Sequence, residues 1–124
     1  QYTIRQLTTE EMQHYREPFT QPGSAKPIKQ YIKELPTGSG GSPADKIITA
    51  YSEKLAKSRL SKLMLYSMPG FMTTFASASW AKEHLSHLEM LDLGEELHLA
   101  QESYPHVMGQ SISVWLQSIE QDKR

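Results

Sequence analysis

Five histidines and no cysteine define the reactive inventory of this 124-residue chain. One of them, His98, stands in GEELHLAQESYP (94–105), between Leu97 and Leu99 and just after an alternating apolar run at 88–93. An imidazole on a short loop between a strand and a helix suits a general base, because a partner can fix one ring nitrogen while the other exchanges a proton near neutral pH. Such a base needs a nucleophile or a water to act upon. There is no thiol to serve, and no Gly-x-Ser-x-Gly elbow to present a serine. The other histidines read differently. His84 and His87 are three apart, but they straddle a helix end without a carboxylate at helical spacing, so no metal site is expected. His14 and His106 fall on helix surfaces. Glu10 and Glu11 suit a helix cap and its dipole better than proton transfer. Glu102, four positions beyond His98, is placed to stabilise the loop or the next helix rather than to act as a triad acid.

The elements that must hold His98 follow from periodicity and punctuation. In LTTEEMQHYREPF, Thr8 and Glu11 have capping-box spacing, and Pro18 ends that first helix. IKQYIKEL (28–35) reads as a short helix or an extended segment, and PTGSGGSP (36–43) as a flexible connector. Ser42 and Pro43 then open a helix with Ile47, Ile48, Tyr51 and Leu55 on one face. Strands are expected at 62–66 and 88–93. Between them lies a helix from about Thr74 to His84, with Phe75, Trp80 and Leu85 as its bulky apolar residues. Pro105 starts a last helix whose Met108, Ile112, Trp115, Leu116 and Ile119 share a face. Met64, Met90, Met108, Trp80 and Trp115 are expected in the core. Alternation of helix and strand predicts two parallel strands flanked by helices, and two strands alone resemble the edge of a larger sheet.

Composition narrows the partners. A net charge of −1 gives no field for nucleic acid or an anionic membrane. No apolar run approaches the roughly 20 residues a membrane span requires. QYTIRQLTT lacks a signal-peptide layout, and it begins without Met, which suggests a processed, cloned or truncated chain; with no cysteine, a cytoplasmic address is expected.

Four stretches, in order, resemble the haloalkane dehalogenases of the α/β-hydrolase fold, and also the related coelenterazine luciferase of sea pansies. RQLTTEEMQHYREPF (5–19) is similar to their late cap helix, and KELP (33–36) to the return from cap to core. KLMLYSMPGF (62–71) resembles the penultimate strand and its turn, and LHLAQESYPHVMGQSISVWL (97–116) the catalytic-His segment and final helix. The chain departs from the family at several points. Glu95-Glu96 stand where Gly precedes Leu-His, and Leu99 replaces an aromatic after the His. Ser103 replaces the acid after Gln-Glu, and Tyr31-Ile32 replace an aromatic-Pro pair.

The resemblance implies a cap portion at 1–40 and the C-terminal part of the hydrolase core at 41–124. It implies carbon–halogen cleavage through an Asp alkyl ester, hydrolysed by water that His98 activates. Tyr31, Leu35, Phe71, Met72 and Leu99 match pocket-lining positions. No cofactor or metal is implied; the partners are a small halogenated hydrocarbon and water. The family's His-Asp-Trp-Gly nucleophile stretch and its halide-binding Asn segment are missing, and SMPGF (67–71) has no carboxylate where one branch keeps its triad acid. The chain by itself is therefore expected to be inactive, and to pair with an N-terminal half or with itself. Alternatives are a luciferase-like oxygenase on the same scaffold and a non-catalytic truncated module; a serine esterase is disfavoured.

Overall fold

The computed structural model describes residues 3–36, 41–71 and 73–121. By contact the chain divides into two compact units, Leu7–Leu55 and a second made of Gln1–Gln6 with Ala56–Arg124.

The first unit is helical. Helix α1 spans Thr9–Arg16 and continues as a 3-10 turn over Glu17–Phe19. Its start is the expected capping box: the Glu11 amide donates to Thr8 Oγ1 at 3.2 Å, and the Thr8 amide donates to Glu11 Oε2 at 2.7 Å. These bonds satisfy two amide donors that the helix end leaves without an intrahelical partner. Helix α2, Lys26–Glu34, settles the ambiguity of 28–35 in favour of helix, with Pro27 in its first turn. Helix α3 is Pro43–Lys57. Ser42 and Asp45 cap it reciprocally: the Asp45 amide donates to Ser42 Oγ at 3.0 Å, and the Ser42 amide donates to the Asp45 carboxylate at 3.2 Å. The face carrying Ile47, Tyr51 and Leu55 is exposed.

The second unit holds the sheet. Strand β1 is Lys62–Pro69 and strand β2 is Leu88–Glu96, and they pair in parallel with Lys62 opposite Leu88 and Tyr66 opposite Asp92. Both run three residues further than their sequence patterns predict. In β2 the reason is a bulge. Register shifts between Tyr66 and Met68, so that Met68 faces Glu95 and Pro69 faces Glu96. Gly94, at φ +100°, takes the left-handed conformation this requires, and a glycine that reads as the end of a strand instead carries the strand through a bend.

Helix α4, Phe75–His84, joins the strands, and Thr74 caps it as expected. It lies on the sheet face of Tyr66, Leu88 and Met90. Helix α6, Pro105–Gln121, lies on the other face, beside Leu63 and Leu91. The short helix α5, Ala100–Ser103, which the sequence pattern did not indicate, precedes α6. Lys62 ties the start of β1 to its surroundings, donating through Nζ to the carbonyls of Ser58, Leu60 and Ser86 at 2.8–2.9 Å.

The core differs from expectation in one respect. Helix α4 buries Ala78 and Ala81, not its bulky residues. Small side chains let a helix backbone approach the sheet closely, and that turns Phe75 and Trp80 outward. Trp80 is 48% exposed and stacks on His84 with ring centroids 4.6 Å apart. Among the described residues the buried apolar ones are Ala78, Ala81 and Leu93. Met64, Met90, Met108 and Trp115 are half-buried.

Candidate active site

His98 follows the carboxyl end of β2, two residues past Glu96. Carboxyl ends of parallel strands are where open α/β sheets build their sites, since the connecting loops diverge there and leave a crevice. A recess of about 110 Å³ lies at this place. Ser67, Gly70 and Thr73 wall it from the end of β1, Leu97 and His98 from the end of β2, and Met108 from α6. The Phe71 ring meets the His98 imidazole edge-on, with centroids 5.8 Å apart and planes at 66°. Phe71 itself is 61% exposed, so the pair sits at the rim.

The loop is held at several points. Its central feature is Glu96, whose side chain is 0% exposed. One carboxylate oxygen accepts the Ile4 amide at 2.5 Å and the Leu97 amide at 2.8 Å. The other accepts the Ser103 hydroxyl. Burial works against the charged form, yet the Ser103 hydroxyl, the Leu97 and Ile4 amides and the Arg5 charge outweigh it, and the carboxyl stays below its ordinary pKa of 4.5. Arg5 adds a second clamp. Its Nε donates to the Glu102 carbonyl at 2.9 Å, and its guanidinium lies 3.4 Å from the Glu102 carboxylate. Tyr104 donates its hydroxyl to the Glu95 carbonyl at 3.0 Å, close above Gly94. Glu102 therefore braces the loop, as its position in the sequence suggested.

The pocket candidates scatter. Phe71 touches His98. Leu99 caps α5 while its neighbours His98 and Ala100 line the recess. Tyr31, on α2, is 66% exposed, and Leu35 is half-buried at the end of that helix; both belong to the helical unit. Met72 lies outside the described residues. Sequence reasoning missed Thr73, Leu97 and Met108 as lining residues, and it missed Glu96 as a buried group. A carboxylate next to a second carboxylate after a strand reads as solvated, and only its distant partners reveal otherwise. His84 is engaged with Trp80, its Nδ1–H donating to the Trp80 carbonyl at 2.8 Å. Among the described residues no group of three or more His, Asp or Glu is placed to hold a metal ion. Nor is any described helix long and apolar enough to cross a membrane.

No protein-family model matches the chain. Individual proteins do. A haloalkane dehalogenase of Bradyrhizobium diazoefficiens is 33% identical over 119 residues, which is 94% of this chain and 38% of that protein. One of Agrobacterium fabrum is 30% identical over 122 residues, 95% of this chain and 39% of that protein. Among solved structures, a haloalkane dehalogenase of Bradyrhizobium elkani superposes with a TM-score of 0.92 at 31% identity, covering 98% of this chain and 42% of that one. Another from Agrobacterium tumefaciens C58 gives 0.84 at 28% identity, covering 95% and 40%. The chain thus spans about 40% of the length of the relatives it matches. Parallel strands flanked by helices, an imidazole loop at their carboxyl ends and these relatives agree: the chain is similar to the C-terminal portion of the haloalkane dehalogenases and shares that part of their α/β-hydrolase fold.

Proposed function

We propose that the chain supplies the general base and part of the pocket wall of a haloalkane dehalogenase-like hydrolase. The observation that carries this reading is His98 at the carboxyl end of β2, beside the recess, in a chain whose relatives bear that name. In the complete enzyme an Asp carboxylate attacks the carbon bearing the halogen and forms an alkyl ester, and the halide leaves. His98 then takes a proton from water, the resulting hydroxide attacks the ester carbonyl, and the alcohol departs as the carboxylate is regenerated. Tyr31, Leu35, Phe71, Met72 and Leu99 are assigned to the pocket wall in this reading. Residues 1–40 are its cap portion and 41–124 its core portion, and the address is cytoplasmic.

The nucleophile, the halide-binding pair and the triad acid have no assignable residue in this sequence. A base alone contributes about 10²–10⁴-fold, far short of a full catalytic acceleration. The chain is therefore inactive by itself and works with an N-terminal portion carrying those groups. The exposed apolar side chains of α3 and α6 and the two-stranded sheet support association with such a portion, or self-association.

The experiment measures halide release from 1-bromoalkanes by residues 1–124 alone and after fusion to a dehalogenase N-terminal portion. The expected result is none from the first and turnover from the second. His98→Ala in the fused enzyme blocks the second step, so the ester accumulates and adds the alkyl mass to the intact protein. Full turnover by that variant, or rapid halide release by the chain alone, overturns the assignment.

A further inference from the structure

We propose that Glu96 is a positioning residue for the His98 loop, and that it fills a carboxylate site which position 103 can equally supply. The significance for catalysis rests on the reading of His98 as the base; the structural claim does not.

Glu96 and Ser103 lie 7 residues apart in sequence and touch each other: the Ser103 hydroxyl donates to the Glu96 carboxylate. They bracket His98 on both sides. Around the carboxylate converge three donors from three segments: the Ile4 amide from the chain preceding α1, the Leu97 amide from the end of β2, and the Ser103 hydroxyl from α5. A fully buried carboxylate is retained only where donors replace the water it has lost, and removing it strands those donors in turn. The Ser103 oxygen is already within hydrogen-bond distance of the Glu96 carboxylate, so an aspartate at 103, which carries a carboxylate where serine carries its hydroxyl, projects its oxygens into the same space. Position 103 can thus supply, from the other side of the loop, the carboxylate that Glu96 supplies.

Because Leu97 is bonded directly to His98, the orientation of the backbone entering the imidazole depends on that amide bond. Arg5 reinforces the arrangement from the same N-terminal segment that presents the Ile4 amide, through its bonds to Glu102.

The test uses residues 1–124 with Glu96→Ala, Ser103→Asp and the double variant E96A/S103D. Amide hydrogen exchange is followed at Ile4 and Leu97, with the β1 amides of Leu63–Leu65 as reference, and the His98 ring ¹⁵N resonances are recorded at one fixed pH. In Glu96→Ala, exchange at Ile4 and Leu97 rises by about tenfold or more relative to the strand, and the His98 ring signals move, because each lost hydrogen bond frees its donor locally. In the double variant both readouts return to within about threefold of the parent. Ser103→Asp alone is worse than the double variant, since two carboxylates then share one buried site. A uniform rise in exchange across the strands, unchanged His98 signals in Glu96→Ala, or a double variant no better than Glu96→Ala overturns the proposal. If Glu96→Ala fails to fold, the double variant decides: a folded one supports the proposal and an unfolded one overturns it. No halide or ester is measured, so failure of the dehalogenase reading leaves these outcomes intact.

Discussion

Gly70 closes the turn that leads from β1 to the rim of the recess, and replacing it with alanine tests whether that turn is as constrained as its geometry requires. Its backbone lies at φ +67°, where an L side chain costs roughly 1–2 kcal/mol. The added Cβ would also sit 2.1 Å from the Thr73 carbonyl oxygen and 3.1 Å from that of Ser67. Both obstacles are backbone, so no rotamer change relieves them, and the segment itself must shift. Forced shifts of this kind cost typically about 1–3 kcal/mol. The two effects together predict a loss of about 2–5 kcal/mol, a large share of the roughly 5–15 kcal/mol that holds a domain folded. Gly109 is the control. It lies inside α6, where an added methyl group would meet nothing within 4 Å, and alanine there gains roughly 0.5–1 kcal/mol of helix propensity. Urea unfolding followed by far-ultraviolet circular dichroism reads both substitutions, and their midpoints move in opposite directions. Ser67, Gly70 and Thr73 all wall the recess, so the Gly70→Ala shift also reaches the ring signals of Phe71 and His98. A Gly70→Ala midpoint at or above that of the Gly109→Ala chain refutes the strain argument.

Two further substitutions follow from named hydrogen bonds. The Glu96 carboxyl is held below its ordinary value of 4.5, so its contribution to stability is complete above that pH and is lost as the pH falls through the lower, folded value. Urea midpoints measured from neutral to acidic pH are expected to fall in that window, and Glu96→Gln, which cannot ionise, flattens the fall; an equal slope in both chains refutes the assignment of the acid sensitivity to Glu96. Thr8→Ala removes one arm of the α1 capping box and costs about 1 kcal/mol where α1 unfolds with the rest, read as a lowered urea midpoint; an unchanged midpoint with unchanged helix signal refutes a stabilising role for the cap.

The features legible in the sequence are those whose physics is local. Thr8 with Glu11 and Ser42 with Asp45 are pairs three residues apart, and each forms the reciprocal cap that its spacing allows. Pro105 fixes the start of α6 because its ring sets the backbone angle of a first helical turn. The parallel pairing of β1 and β2 follows from a helix-bearing crossover between them, and its consequence, an imidazole at the carboxyl end of β2, follows from the order of the elements alone.

What escaped the sequence depends on partners far along the chain. The extra residues of β2 exist because the strand bulges at Gly94 against β1, and a glycine's local meaning is ambiguous between a stop and a bend. Ala78 and Ala81 dock α4 because the sheet approaches closely, which periodicity weighted by bulk assigns to Phe75 and Trp80 instead. Glu96 is the sharpest case. By polarity it belongs in water, and by position it follows a strand in a run of two acids. It is buried because the Ile4 amide, 92 residues away in sequence, and the Ser103 hydroxyl converge on it. The free energy of burying a charge is set by the donors that meet it, so the same residue type is solvated at Glu95 and enclosed at Glu96, one position on.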